Sequence, residues 1–383
     1  MTKKLSIVVL MLSIIYLFTP ETQINHKTEE RSNNEEIRGI FVSYIELKEY
    51  IGGKSKEESE NNIKYIIKNI KEAKLNTIYL QVRSHMDSIY ESNLFPTSKN
   101  IILNDKTHYD VLKKFIEESK KENIDIYAWI NPYRIGNNID ENSKYYEIVK
   151  NDIKLSNNNY YLNPASKKST QLIVDGVEEI VKKYNIKGIL FDDYFYPDLE
   201  IDIDNYNNSE KNISLEEFRL NNVSNMVLEV NKKIKSINKN ILFGISPDGN
   251  IENNYNKEFA DVKKWVQSDL YIDFIMPQIY YGFENETKPF ERVLTEWNTI
   301  INKDKVKYQV ALAFYKTGRE DTYAKKGKEE WLNNNDIMKR EVLKIREAKY
   351  CEGFSFFRYD NLFNEELMNE ISKKERLNLK KIM

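Results

Sequence analysis

Two adjacent aspartates, Asp192 and Asp193, come directly after an apolar run in the segment GILFDDYFYP, residues 188–197. Neighbouring carboxylates repel one another, so one of them keeps its proton near neutral pH where the surroundings hold little water. A protonated carboxyl can act as a general acid, and cleavage of a glycosidic bond needs such an acid at the leaving oxygen. The other aspartate can then orient an acetamido group of the substrate, which supports the oxocarbenium-like centre.

The aspartate pair has two other interpretations, a cation site or the cap of a following helix. The three histidines (His26, His85 and His108) are scattered along the chain, and Cys351 is the single cysteine. Because neither a zinc cluster nor a disulfide framework can be built from these residues, we expect chemistry without a metal or a cofactor.

Further polar and aromatic residues follow other apolar runs, as the aspartate pair does. They are Arg83, Asn131, Tyr133, Ser246, Asp248, Gln278, Tyr280, Tyr315, Arg358 and Tyr359. Sugar rings present apolar faces to aromatic side chains, and their hydroxyl groups bind amides and guanidinium groups. The mixture therefore favours a saccharide ligand, although packing inside the fold explains Tyr194 equally well.

Eight continuous apolar runs must position these residues, and most are followed by a stretch with helical spacing. The runs are 37–44, 76–83, 125–133, 187–197, 241–247, 272–281, 308–315 and 352–360. Continuous runs are typical of parallel strands covered by helices. The sequence thus predicts an α/β protein, a (β/α)8 TIM barrel, whose sites lie where strands end. We expect long βα-loops after strands 3, 4 and 7, at 134–169, 198–213 and 316–335.

The helical stretches begin with recognisable caps. Ser55 and Glu58 match a capping box, and Ser214 and Glu217 repeat the signature. The isoleucines that follow Glu58 recur on one face, which needs a sheet to cover it.

The chain begins with the pattern of an export signal. Lys3 and Lys4 precede an apolar run from Leu5 to Phe18, so residues 1–20 are expected to be a signal peptide or an uncleaved membrane anchor. Residues 21–36 are polar and are interpreted as a linker, which leaves 37–383 as the catalytic domain. We expect an exported protein, extracellular or in the cell wall.

The overall charge gives no general attraction for polyanions, so a polyanionic partner would need a local basic patch. Lys plus Arg total 58 and Asp plus Glu total 60, a formal net charge of −2. Such a chain has no global field to attract nucleic acid, and no nucleic-acid partner is expected. The expected partner is the polysaccharide that the aromatic and amide residues favour.

Several segments together resemble the glycosyl-hydrolase-like family 10 proteins. They are RGIFVSY, QVRSHMDSIY, YAWINPYR, GILFDDYFYP, FGISP and DFIMPQIYY, in this order, and the resemblance spans Arg38 to Tyr359. It implies an exported TIM-barrel glycosidase, with relatives that act on peptidoglycan glycan strands, including strands stripped of their stem peptides.

Position by position, the resemblance also implies site residues. These are Arg83, Asp87, Asn131, Arg134, Asp192, Asp193, Tyr194, Gln278 and Tyr280. This chain departs from the family pattern at Phe41, at Ser84 to Met86, at Leu220 and at Asp248, which is either a local replacement or a private second carboxylate.

We therefore hypothesise hydrolysis of a β-linked N-acetylhexosamine polymer, with Asp193 as proton donor and Asp192 as its partner. Strand alternation points neighbours to opposite faces, so the two roles are open to exchange. Gln278, Tyr280, Arg83 and Asn131 would position the sugar, and Arg134 would bind the lactyl carboxylate of a muramic residue. The substrate-binding set also includes Asp87, Tyr133, Tyr194 and Arg358.

Two alternatives remain for the chemistry and two for the class of protein. A direct nucleophile or base would come from Asp87, Asp248, Glu284 or Asp360, whereas in substrate assistance the acetamido group takes that role. The chain could instead be a non-catalytic glycan-binding barrel. A metal-dependent hydrolase is disfavoured because no histidine ligands lie near the aspartate pair.

Overall fold

The eight apolar runs form eight parallel strands that close into a barrel in the computed structural model, which describes residues 35–209 and 212–383. The barrel strands are β1 (Ile37–Val42), β2 (Thr77–Arg83), β3 (Asp125–Ile130), β4 (Gly188–Phe191), β5 (Leu242–Ile245), β6 (Phe274–Ile275), β7 (Lys307–Leu312) and β8 (Cys351–Phe356). Each strand pairs with the next one in the chain, and β8 returns to pair with β1. The predicted (β/α)8 barrel is confirmed, and the segments 1–20 and 21–34 lie outside the described residues.

Helices of 11 residues or more cover the barrel. They are Lys56–Glu72, Val111–Lys121, Lys167–Lys183, Leu215–Ile237, Phe290–Ile300, Ile337–Glu347 and Glu370–Lys380. Ser55 and Glu58 form the predicted capping box, and Ser214 Oγ accepts the N–H of Glu217 at 3.1 Å. None of the helices within the described ranges has the length and apolar character needed to cross a membrane.

Shorter helical segments lie mostly in the connections at the carboxyl ends of the strands. The α-helices are Tyr44–Tyr50, Lys144–Val149, Ile203–Asn207, Ile251–Asn256, Val262–Trp265, Glu330–Asn333 and Tyr359–Phe363, and the 3-10 helices are Lys99–Ile101, Phe314–Lys316 and Thr322–Gly327. The connection after β3 also contains a three-stranded antiparallel sheet of Arg134–Gly136, Ile153–Ser156 and Asn159–Leu162. The segments expected as loops thus carry secondary structure of their own.

Strand alternation separates two apolar layers. Residues that point outward pack under the helices, and a smaller inner cluster fills the barrel with Phe41, Tyr79, Tyr127, Trp129, Leu190, Phe274, Met276 and Ala311. Glycines make room for the inner rings: a Cβ at Gly244 would lie 2.3 Å from the Phe274 ring, and one at Gly188 would lie 2.5 Å from Tyr127. The barrel is therefore a packed core, and a ligand can bind only above it.

Candidate active site

A cavity of about 480 Å³ lies at the carboxyl ends of the barrel strands. Its walls are formed by Phe41, Trp129, Asp192, Asp193, Tyr194, Ser246, Gln278, Tyr280, Tyr315, Arg319, Phe357, Arg358 and Asn361. Eight residues that the sequence placed at strand ends therefore meet here: the aspartate pair, Tyr194, Ser246, Gln278, Tyr280, Tyr315 and Arg358.

Asp192 is held by a chain of hydrogen bonds that crosses three strands. Its Oδ2 accepts the indole N–H of Trp129 at 3.2 Å and a bond from the Asn131 amide. Asn131 Oδ1 accepts from Gln81 Nε2 at 2.6 Å, and Gln81 Oε1 accepts from the Tyr44 backbone N–H at 3.0 Å. Because each link is fixed by the next, the orientation of the Asp192 carboxyl is set before any ligand binds.

Burial dominates the electrostatics of Asp192, whose side chain is almost inaccessible to solvent. It raises the pKa of this carboxyl well above its usual range, the charge of Asp193 raises it further, and the bond from Trp129 acts in the opposite direction. Oδ1 is buried, and a hydrogen bond from the Tyr194 backbone N–H also opposes the rise in the pKa. The small accessible part of the side chain faces the cavity.

Asp193 lies beside Asp192 on the cavity wall and is less tightly held. Burial raises its pKa from 3.8 to about 6, with the nearby charge of Asp248 adding to the rise and the Gln278 side chain opposing it. Gln278 is itself fixed, since its Nε2 donates to the Ser246 carbonyl at 2.9 Å. A carboxyl with a pKa near 6 can release a proton close to neutral pH.

Glu258 is a residue of this site that the sequence did not indicate. Its Oε2 accepts the backbone N–H groups of Phe195 and Tyr196, each at 3.2 Å, so it holds the segment that follows the aspartate pair. Burial raises its pKa to about 7, and the charge of Asp193 adds to the rise. No sequence signal marks Glu258, because it follows a short helix and lies beyond the apolar run of β5.

Aromatic rings form much of the cavity lining. The ring of Tyr280 lies 5.9 Å from Tyr315 and 6.0 Å from Phe357, and Phe41 lies 5.3 Å from Trp129. Strand alternation could have identified Trp129, which shares the inward face of β3 with Tyr127. The rings provide the flat apolar surface that a pyranose ring needs.

Arg83 lies away from the cavity, contrary to the expectation from the sequence. Its side chain is fully buried, and its guanidinium carbon lies 4.2 Å from the Phe95 ring centroid. The cause is an irregularity in β2: Gln81 pairs with Trp129, but Arg83 pairs with Ile130, which faces outward. One extra residue reverses the side of the sheet to which the next side chain points.

Four other expected binding residues are also absent from the cavity wall: Asn131, which donates to Asp192, and Tyr133, Asp87 and Arg134. Tyr133 is fully buried in the outer core. Asp87 lies close enough to Arg83 for its charge to raise the pKa of that residue, although burial, which lowers the pKa, has the larger effect. Arg134 begins the small antiparallel sheet. Its positive charge opposes the rise in the pKa of Asp192 that burial causes. Arg134 is therefore near the site without lining it.

None of the candidates for a second carboxylate lines the cavity. Asp248 influences Asp193 by charge, while its own Oδ1 accepts the Asn250 N–H at 2.6 Å. Asp360 Oδ2 lies 3.5 Å from Arg358 Nη1, and neither Asp87 nor Glu284 is among the lining residues. Within the described ranges the aspartate pair supplies the only carboxylates on the cavity wall, and no group of three His, Cys, Asp or Glu side chains is arranged as metal ligands.

Comparison with known proteins places the chain among glycosyl hydrolases. The family model for glycosyl hydrolase-like 10 matches residues 36–332. Glycosyl hydrolase DigH of Escherichia coli (strain K12) is 25% identical over 334 residues, covering 78% of this chain and 75% of that protein. Glycosyl hydrolase YngK of Bacillus subtilis (strain 168) is 27% identical over 316 residues, covering 74% of this chain and 62% of that protein.

Solved structures share the fold. The PgaB (BpsB) glycoside hydrolase domain from Bordetella bronchiseptica matches with a TM-score of 0.57 at 12% identity, over 89% of this chain and 98% of that domain. An alpha-L-fucosidase, isoenzyme 2 from Paenibacillus thiaminolyticus, matches with a TM-score of 0.56 at 11% identity, over 89% of this chain and 49% of that one.

Proposed function

This chain belongs to the glycosyl hydrolase-like 10 family, and on that premise we propose that it hydrolyses N-acetylhexosamine-containing cell-wall glycan, in particular peptidoglycan strands stripped of their stem peptides. The observation that carries the proposal is the aspartate pair, two carboxyls with raised pKa values on the wall of an aromatic-lined cavity. Glycosidases need an acid at the leaving oxygen, and aromatic rings bind sugar faces.

The two carboxyls hold one proton between them near neutral pH, because adjacent buried carboxylates do not both ionise readily. Asp192 Oδ2 already receives two donors, and the acetamido N–H of a bound sugar would give this carboxyl a third, which opposes the rise in the pKa of Asp192 that burial causes. Asp193, whose pKa is about 6, carries a proton below that pH and faces the glycosidic oxygen as the general acid.

Hydrolysis proceeds in two steps with substrate assistance. Asp193 gives its proton to the glycosidic oxygen as the bond to the anomeric carbon breaks, and the acetamido carbonyl oxygen bonds to that carbon. Water then attacks the same carbon, the acetamido group is released, and a proton returns to Asp193. One water is consumed, and both carboxyls end as they began. The lack of another carboxylate on the described cavity wall supports this route over a direct nucleophile.

The pKa of Asp193 gives the expected pH dependence. The acid must be protonated, so kcat/KM is expected to fall as pH rises above about 6.

Export is part of the proposal. Lys3 and Lys4 with the apolar run to Phe18 support a signal peptide or an anchor that takes the enzyme to the cell wall.

The test is product analysis by mass spectrometry. The full-length protein is incubated with intact and with peptide-stripped peptidoglycan, beside Asp193→Asn and the exposed control Asp204→Asn. Soluble sugars released by wild type and control, but not by Asp193→Asn, are the expected result, and the reducing ends identify the bond. If none of the three releases sugar while all bind glycan, the protein is a non-catalytic binding barrel instead.

A further inference from the structure

The cavity has a second, basic wall opposite the aspartate pair. Arg319 follows β7, and Arg358 and Asn361 follow β8. The aspartates follow β4, which lies four strands away from β8 around the closed barrel. A glycan with its scissile bond at the aspartates would therefore reach the basic wall with another part of its structure.

Arg358 is fixed in position by two carboxylates. Its Nη1 bonds to Glu46, which is fully buried, and lies 3.5 Å from Asp360 Oδ2. Within the described part of the chain, Nε and Nη2 have no partner. The guanidinium is thus pre-positioned on the cavity wall with donors to spare.

The charge of Arg319 is not neutralised by its acidic neighbours in the sequence. Asp321 pairs with Lys316 at 2.7 Å, and Glu320 pairs with Lys328 at 2.9 Å. The Arg319 backbone N–H donates to the Lys316 carbonyl at 3.0 Å, which holds the residue beside the cavity. Its guanidinium makes no ion pair with any described residue, so the basic wall carries a positive charge that the fold leaves uncompensated.

We propose that Arg319 and Arg358, with the Asn361 amide, form a subsite for a carboxylate borne by the glycan. This rests on the proposed function and specifies its substrate class: an amino-sugar polymer with an acidic substituent, such as the lactyl ether of a muramic residue. Guanidinium groups match the planar fork of a carboxylate. The aspartates repel such an anion, so the two walls together fix the direction in which the strand binds.

The subsite replaces the role that the sequence suggested for Arg134. Arg134 does not line the cavity, whereas Arg319 and Arg358 do.

The experiment compares binding of two matched ligands to full-length protein that carries Asp193→Asn. One ligand is peptide-stripped glycan with free lactyl carboxylates, and the other is the same glycan with those groups converted to neutral methyl amides. We expect about tenfold tighter binding of the free acid, and a preference that weakens with salt, as for a charge-assisted hydrogen bond. Adding Arg319→Gln should remove the preference, while Arg292→Gln on an outer helix should keep it.

Two results would overturn the subsite: equal binding of the two glycans by the parent protein, or a preference unchanged by Arg319→Gln. Arg319 is exposed, so its variant is expected to fold, and equal melting temperatures for the two arginine variants verify this. Sugar release by the wild type is measured separately. Preference for the carboxylate without sugar release would contradict the hydrolase activity and support the subsite. Sugar release without that preference would support the activity and contradict the subsite.

Discussion

The two walls of the cavity differ in how their charges are compensated. On the β4 wall, Asp192 is buried and Asp193 beside it is half-buried, and the loss of hydration raises both pKa values. On the opposite wall, Arg358 is bonded to Glu46 and lies near Asp360. Ionising the carboxyls of the acidic wall therefore destabilises the fold, which keeps a proton available. The ion pair between Arg358 and Glu46 on the basic wall stabilises the fold. A buried charge with no oppositely charged partner thus indicates a functional group, whereas a buried charge with such a partner indicates a structural ion pair.

The largest expected effect comes from Asp193→Asn, which removes the acid and leaves the shape. General acid catalysis contributes about 10²- to 10⁴-fold, so kcat should fall by that factor while KM changes little. Any residual rate should also lose the decline above pH about 6 that Asp193 causes in the wild type. Reducing-sugar assays across pH measure both quantities. A rate within about twofold of that of Asp204→Asn would show that Asp193 is not the acid.

Removing the ion pair of the basic wall should lower the free energy of unfolding. Arg358→Met leaves Glu46 buried without its cationic partner, which we expect to lower the free energy of unfolding by about 3 kcal/mol. Urea denaturation measures this. Adding Glu46→Gln should restore part of the loss, because the uncompensated charge is removed.

A matched control for that prediction is Arg292→Met, which breaks an exposed pair with Glu296. We expect a change below about 0.5 kcal/mol, since exposed pairs contribute little. If Arg358→Met behaves like this control, the ion pair between Arg358 and Glu46 does not stabilise the fold.

A substitution on the acidic wall, Asp193→Asn, should instead raise the free energy of unfolding. The folded-state pKa of Asp193 is raised from 3.8 to about 6, so folding favours the protonated form, and ionisation costs stability as pH rises through that interval. Asp193→Asn has no such cost. It should therefore be more stable than wild type by about 3 kcal/mol at pH 7.5, with the gain disappearing near pH 4. A gain that did not depend on pH would contradict this assignment.

The smallest expected effect sharpens the role of Glu258 as a positioning residue. Glu258→Gln keeps an acceptor for the N–H groups of Phe195 and Tyr196 but removes a titratable group near Asp193. The alkaline limb of kcat/KM should stay where it is in the wild type, because Glu258, with a pKa of about 7, is largely protonated where Asp193 ionises.

Glu258→Leu removes the acceptor as well, and kcat should fall about tenfold as the segment loses its anchor. The exposed Glu252→Gln serves as the control for both variants. Glu258 has no positioning role if Glu258→Leu keeps the wild-type rate and pH profile.

The barrel was predictable because its strands are buried on both faces. Such strands are mostly apolar on both faces, so runs such as TIYLQVR and GILF stand out in the sequence. The rule that sites lie at the carboxyl ends of barrel strands then selected Asp192, Gln278 and Arg358, all of which line the cavity.

The same rule failed for Arg83 for a local reason. Counting alternate residues from Tyr79 and Gln81 points Arg83 inward, but a change of register before Arg83 turns it under the helices. A single irregular residue is invisible in an apolar pattern, because both faces of β2 are buried.

Glu258 and Arg319 were missed for a different reason. Each lies in a connecting segment and reaches the site only through segments that are distant in sequence. Glu258 accepts hydrogen bonds from Phe195 and Tyr196, and Arg319 lines the same cavity as the residues that follow β4. Composition and periodicity report local structure only, so such contacts leave no trace in them.

The sequence by itself determined the barrel, the family and the aspartate pair, because apolar continuity and short motifs are properties of neighbouring residues. Tertiary structure decided which charges lose water and which find partners. Burial and adjacency raise the pKa values of Asp192 and Asp193, and contact with Glu46 tethers Arg358. Desolvation depends on everything that packs around a group, so it exists only once the chain has folded.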